Sequence, residues 1–370
     1  MNKLNLISFL LLFFISTSVF SQNRTEINIP DIPGYLTLKC DFHMHTVFSD
    51  GDVWPTVRVQ EAWIEGLDAI SITDHIEYLP HSQDIDADHN RSYEIAKPLA
   101  DQLGIVLVQG AEITRKMPPG HLNALFITNA NLLEREDWWE ACAEAKDQGA
   151  FVFWNHPGWK AQQPEKTLWW KEHTRLYNAG IMQGIEVYNY ESFYPEALQW
   201  AKEKNLTVIA NSDVHGATSM TFVNGKQRPL TLVFAIDRSV EGVKNAMLDR
   251  RTVAYFDNRL AGDKEYLKPL FFNSLNISDK PVELKNHEVK RVKITNESDL
   301  TYKLKKRQPS IGFKCPDEIT LEAHKTVMLQ LEGVSEEIAN AGVLKMYYQV
   351  ENLWTLGGDP LPVVFEIANK

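Results

Sequence analysis

The stretch CDFHMHTVFSDG, residues 40–51, sets two histidines two positions apart directly after the alternating apolar run GYLTLK. Side chains two apart on a strand share a face, so Asp41, His43 and His45 are predicted on one side and Cys40, Phe42 and Met44 on the other. Two imidazoles on one face can meet one metal ion. A lone His-x-His pair is equally compatible with packed histidines, so neighbouring motifs must decide. SDG follows at once, with Asp50 on the tight turn that Gly51 permits. The later runs ISITDH, LVQGAE, GHLNALF, WNHP and NSDVH add His75, Glu112, His121, His156, Asp213 and His215, each at a predicted strand end or beginning. Imidazole nitrogens and carboxylate oxygens without a thiolate suit Zn, Mn or Fe(II) without separating them, and so many nitrogens argue against calcium. His81, His89, His173, His287 and His324 lie outside the pattern and read as ordinary surface or packed histidines.

The elements that must position these groups run from about Tyr35 to Phe256, where short apolar or β-branched runs alternate with amphipathic helical ones. Candidate strands are LTLKCDF, LDAISITDH, GIVLVQGAE, HLNALFI, AFVFWNH, GIEVYN, TVIANSD, LTLVFA and TVAYF. Between them lie helical patterns, among them PTVRVQEAWIEG, with Pro55 at a natural helix start, and TLWWKEHTRLYNAG. So many alternations predict a closed or nearly closed (β/α) barrel, whose carboxyl strand ends converge on one face where catalytic groups belong. No GxGxxG or Walker loop follows a strand, which argues against a nucleotide-binding sheet. From residue 268 to 370 apolar and polar positions alternate between turn residues, predicting a small C-terminal antiparallel β-sandwich domain.

The 370-residue chain carries a formal charge of −11, which argues against nucleic-acid binding through a basic face. Lys3, the apolar run LISFLLLFFI and small Ser21 before Gln22 read as a signal peptide over residues 1–21, followed by domains at 22–267 and 268–370. The expected product is exported, periplasmic or secreted, with no stable membrane insertion after cleavage. Cys40, Cys142 and Cys315 lack a CxxC spacing and read as small buried apolar residues.

Taken in order, HxH with SDG, TDH, a Glu after a strand, a later His, NHP and SDxH resemble the polymerase and histidinol phosphatase (PHP) metallohydrolases over about Tyr35 to Phe256. The resemblance implies a distorted seven-stranded (β/α) barrel, leaving the extra candidate strands as hairpin or edge elements. It also implies three divalent ions (Zn, Mn or Fe): His43, His45, Glu112 and Asp213 around the first, bridging Glu112 with His121 and His156 around the second, and Asp50, His75 and His215 around the third. His121 fits least well, because it opens a strand rather than closing one.

The activity so implied is hydrolysis of a small organic phosphate ester by a metal-activated hydroxide, the ions lowering the pKa of bound water toward about 7. Arg115 and Lys160 are the candidate non-ligand helpers, with Arg91 and Ser219 behind them, although such cations are most often solvated surface groups. Asp41 is a candidate for orienting a ligand. Of the aromatics near the motifs, Trp159 is best placed for a pocket wall, while Trp169 and Trp170 read as helix core. The alternative function is metal-dependent hydrolysis of a non-phosphate ester, amide or sugar-derived bond. A binding module that has lost its chemistry is disfavoured because no ligand is missing.

Overall fold

The computed structural model describes residues 23–85, 88–223, 226–277 and 281–370, so the predicted signal segment lies outside the described residues. Strands and helices alternate as β1 (Leu36–Asp41), α1 (Pro55–Ile64), β2 (Ala69–Ile72), α2 (Arg91–Leu103), β3 (Val106–Ile113), β4 (Leu122–Leu125), α3 (Trp138–Asp147), β5 (Phe151–Trp154), α4 (Lys171–Asn178), β6 (Met182–Asn189) and β7 (Ser192–Phe193). They continue as α5 (Pro195–Lys204), β8 (Thr207–Asn211), α6 (Thr218–Thr221), β9 (Leu230–Ala235), α7 (Val240–Leu248), β10 (Thr252–Phe256), β11 (Arg259–Gly262) and α8 (Lys264–Asn273).

Local chemistry accounts for many of these boundaries. Pro55 and Pro195 open α1 and α5, Asp137 caps α3 by accepting from the Trp139 and Glu140 amides, and Gly104 and Asn205 end α2 and α5 in left-handed backbone. The TLWWKEH run departs from expectation. Helix α4 starts only at Lys171, leaving Trp170 extended and Trp169 free to pack on Trp154 and Trp200.

β1, β2 and β3 pair in parallel, as do β5, β6 and β8. β4 runs antiparallel to both β3 and β5, β9 runs antiparallel to β1, and β10 runs antiparallel to β9. The strands follow the expected α/β alternation, but among the described residues closure of the distorted seven-stranded barrel is not seen as a continuous ladder. All nine candidate strands join one sheet, and among the described residues no main-chain ladder links β8 to β9 or β10. Side chains bridge that seam: the Thr231 hydroxyl donates to the Ala210 carbonyl and accepts from its amide, and the Thr252 hydroxyl donates to the Val208 carbonyl. Strand parity around β1 follows the sequence reading for Cys40 and Phe42, which sit in an apolar cluster with Val108, Phe151 and Ile209, but Met44, expected on the same face, lies beyond the end of β1 and packs in a separate cluster with Val214.

The C-terminal region forms β12 (Leu275–Ile277), β13 (Val289–Asn296), β14 (Tyr302–Lys306), β15 (Phe313–Lys314), β16 (Glu318–Leu321), β17 (Thr326–Gly333), β18 (Val343–Thr355) and β19 (Pro360–Ala368). One sheet runs β12-β13-β17-β15; the other, β16-β14-β18 with β19, continues into the first sheet because β18 pairs in parallel with β11. Alternating burial along β13, β17 and β19 is the signature of sheets covered on one face. The anticipated boundary at residue 267 falls inside α8, which spans the junction. No helix among the described residues is long and apolar enough to cross a membrane.

Candidate metal centre

The nine residues singled out from the sequence converge at one mouth. His43 and His45 follow β1, Asp50 is on the next turn, His75 follows β2, Glu112 lies near the end of β3, His156 follows β5, and Asp213 and His215 follow β8. His121 precedes β4, and because β4 is antiparallel its beginning lies at the same mouth as the carboxyl ends of its parallel neighbours. His121 Nδ1 is 2.9 Å from Glu112 Oε1. Gly51 serves this turn through close approach: a Cβ there would lie 2.6 Å from the His45 carbonyl carbon.

Four groups offer ligand atoms all within 4.8 Å of one another: His45, Asp50, His75 and His215; His43, His45 and Glu112; His43, His156 and Asp213; and His75, Glu112 and His121. His45 Nε2 stands 3.1 Å from Asp213 Oδ1, and Asp50 Oδ1 stands 3.4 Å from His75 Nε2 and 3.3 Å from His215 Nε2. These groups share members with the three ligand sets implied by the resemblance, but group Asp213 with His156. Three buried atoms inside the cluster, His43 Nε2, Glu112 Oε2 and Asp50 Oδ1, make no well-directed hydrogen bond and have only other members of the cluster as close polar neighbours. A buried polar atom without a partner is costly, so their convergence fits a bound cation.

The electrostatics agree. Burial opposes charge on His75, yet the Glu112 and Asp50 carboxylates push it up to about 10, and burial is likewise outweighed at His43 by Asp213, Glu186 and Glu112. Burial also raises Glu112, but His75, His121 and His43 hold its carboxyl well below the usual range. His45 is driven down to about 3 by burial and by the neighbouring His75 charge. The three carboxylates therefore demand positive charge that protons on some histidines can supply, and that divalent ions would supply while leaving the ring nitrogens free to coordinate.

Several residues that organise the centre were not evident from the sequence. Glu186, on β6, accepts from His43 Nδ1 (2.9 Å), the His156 amide (2.6 Å), Asn189 Nδ2 (2.9 Å) and Asn211 Nδ2 (2.9 Å). This leaves His43 Nε2 turned to the cluster. Buried Asp74 accepts from the Thr46 amide and the Thr46 and Ser49 hydroxyls, fixing the turn that carries Asp50. Buried Arg58 donates to the carbonyls of His45, Val214, His215 and Gly216, fastening the first ligand loop to the last. A charged residue inside an apolar run, as in GIEVYN, was the available signal for Glu186. Asp41 hydrogen-bonds the His43 and Ser212 amides while ion-paired to Arg228 at 3.1 Å.

A cavity of about 470 Å³ opens over the cluster, its remaining walls formed by Trp159, Asn189, Tyr190, Ser192, Tyr194, Val214, Gly216 and Thr221. Among the described residues no Lys or Arg lines it. Arg115 is not brought to the mouth: its guanidinium pairs with Glu77 at 2.7 Å and donates to the carbonyls of Arg135 and Glu136. Lys160 is exposed and does not line the cavity, and neither do Arg91 or Ser219. His156 (φ 28°), Tyr190 (φ 52°) and Asp213 (φ 52°) hold left-handed backbone, as non-glycine residues at functional sites often do.

With that geometry in place, comparison with known proteins gives the class. A crystal structure from Bacteroides vulgatus, described as a two-domain protein containing a predicted PHP-like metal-dependent phosphoesterase, is 45% identical, with a TM-score of 0.88, covering 94% of this chain and 100% of its own. The chain belongs to the PHP family. An uncharacterized protein of Methanocaldococcus jannaschii is 35% identical over 176 residues, 47% of this chain and 68% of its own length. Residues 275–366 match a family model described as an Ig-like domain, so the particular protein is a two-domain PHP protein with an Ig-like C-terminal domain.

Proposed function

We propose that this chain is an exported metal-dependent phosphoesterase that hydrolyses a small organic phosphate ester, mono- or di-, at a centre of three divalent ions. His43, His45, Glu112 and Asp213 would hold one ion, Glu112, His121 and His156 a second, and Asp50, His75 and His215 the third. The observation that carries this reading is the convergence of buried His43 Nε2, Glu112 Oε2 and Asp50 Oδ1, none with a well-directed hydrogen bond, beneath an open cavity. When bound, such ions supply an activated water and neutralise charge on the phosphoryl oxygens. The chain's own residues do the rest. Glu186 keeps the His43 Nε2 lone pair pointed inward, Arg58 locks the two ligand loops together, and Trp159, Tyr190 and Tyr194 narrow the mouth around the leaving group.

The absence of Lys and Arg from the described cavity walls supports a finer reading. One phosphoryl group would be matched by the ions, whereas a second anionic group on the substrate would meet no cation. An uncharged, ring-bearing leaving group suits the aromatic walls. Export rests on the residue pattern at positions 1–21.

The test is metal analysis of protein purified without added metal, joined to a screen of phosphomonoesters, phosphodiesters and uncharged esters with and without chelator. Phosphate release that disappears with chelator is the expected result. Fewer than two ions per chain would overturn the three-ion centre, and hydrolysis confined to uncharged esters would move the assignment to a non-phosphate bond.

A further inference from the structure

The Ig-like domain reaches the wall of the cavity. β6 and β7 form a hairpin with Tyr188 opposite Phe193 and Asn189 opposite Ser192, turning through Tyr190 and Glu191. Directly opposed residues share a face, and alternation separates the two pairs. Asn189, Tyr190, Ser192 and Tyr194 line the cavity, whereas Phe193 turns the other way. Its ring lies 4.8 Å from Tyr188 and 4.8 Å from Trp354.

Trp354 belongs to the Ig-like domain and is held firmly there. It pairs with Ala261 of β11 and with Pro360 of β19, its indole N–H donates to the Glu351 carbonyl at 3.0 Å, and the Arg259 guanidinium lies 5.7 Å from its ring. The β6 arm of the hairpin is tied into the sheet, with Asn189 paired to Asn211 of β8, the Tyr190 amide donating to the Asn211 carbonyl and the Tyr190 ring 5.8 Å from Phe222, so the return arm is the part with less support. β7 is two residues long and ends the sheet, paired among the described residues with β6 alone. The Glu191–Lys226 ion pair at its tip joins two exposed side chains, a weak tether.

We propose that the Ig-like domain is a working part of the substrate site: Trp354 props Phe193 and so sets the position of the Asn189–Tyr194 wall. Trp354 is a positioning residue, acting on substrate without touching it. The kinetic consequences rest on the phosphoesterase reading; the structural ones do not.

The experiment uses the full chain. In Trp354→Ala, KM for p-nitrophenyl phosphate rises about 2- to 10-fold, the worth of one aromatic pair, with kcat and bound metal unchanged. Trp354→Phe recovers most of the affinity. Phe193→Ala gives a similar shift, and the double variant adds little, because both changes break one contact. Amide exchange in residues 189–194 quickens in Trp354→Ala relative to the rest of the barrel, a measurement that needs neither metal nor substrate. Exchange in the hairpin unchanged, or quickened equally everywhere, overturns the proposal; so does a fall in kcat at constant KM. If no phosphate ester is turned over, the phosphoesterase reading fails and the exchange result alone decides.

Discussion

Replacing Glu186 by Gln tests whether the centre depends on the carboxylate beneath it. Oε1 serves His43 Nδ1 and Asn211, while Oε2 serves the His156 amide and Asn189. A glutamine of the same shape must turn its NH₂ toward one of these pairs, setting donor against donor. Two buried bonds are lost outright and the other two lose charge assistance. At about 1–3 kcal/mol for each of the two buried groups left without a partner, the folded state should lose about 2–6 kcal/mol. The effect on the site is separate. Without an anionic acceptor, the His43 ring is free to change tautomer and present an N–H to the cluster. Loss of a carboxylate behind a ligating histidine typically costs about 10- to 100-fold in metal affinity or activity. The assay is competition with a chelator of known affinity, followed by metal analysis, alongside urea unfolding of metal-free protein. A Glu186→Gln protein that keeps wild-type metal affinity and wild-type stability would refute the reasoning. Lost stability with unchanged metal affinity would confine Glu186 to holding the fold.

Other expectations follow from the same geometry. Dialysis against chelator should abolish phosphate release and lower the melting temperature, with readdition of metal at 100-fold excess over its Kd restoring about 2.7 kcal/mol of stability per independent site, measured by calorimetry. Buried His173 donates to the Pro119 carbonyl and is held down to about 4 by burial. The unfolded chain therefore takes up a proton that the folded one refuses as pH falls from 6.5 toward 4. This group should cost about 2 kcal/mol of stability at about pH 5, and His173→Gln should flatten that part of the unfolding-midpoint profile relative to wild type. Arg58→Lys cannot reach the carbonyls of His45, Val214, His215 and Gly216 together, and should destabilise the fold by about 2–4 kcal/mol in urea unfolding while weakening metal retention. Trp159→Ala should raise KM about 2- to 10-fold for aryl phosphates but not for methyl phosphate, read in steady-state kinetics.

Much of the ligand cluster was legible because strand geometry is local. Alternation separates His43 and His45 from Cys40 and Phe42 without knowledge of any partner strand. His121 was the difficult residue, since its place at the mouth depends on β4 running against its neighbours, which single-strand periodicity does not encode. How the β8 seam is joined was illegible for a related reason: hydroxyls of Thr231 and Thr252 cross it in place of a ladder, and threonine in a β-rich run looks the same in either role. Arg58 and Glu186 were hidden because an isolated charge in an apolar pattern ordinarily reads as surface. Arg115 and Lys160 show the converse, cations near motifs in sequence whose side chains go elsewhere. Trp169 and Trp170 fit the helical period yet precede α4, with their indole N–H groups engaged by Thr174 and Gln163.

The shared ladder between β11 and β18 also bears on how this molecule can be cut. Leu260, Ala261 and Gly262 meet Leu353, Trp354 and Thr355 there, and the three β11 residues are buried. A chain ending after α8 would present β11 as an open, apolar strand edge, the kind of surface that recruits other chains into sheets. Such a truncation should accumulate as oligomers or aggregates rather than as a smaller working enzyme. Capping β11 with a charged or proline-bearing strand would be the requirement for isolating the catalytic half.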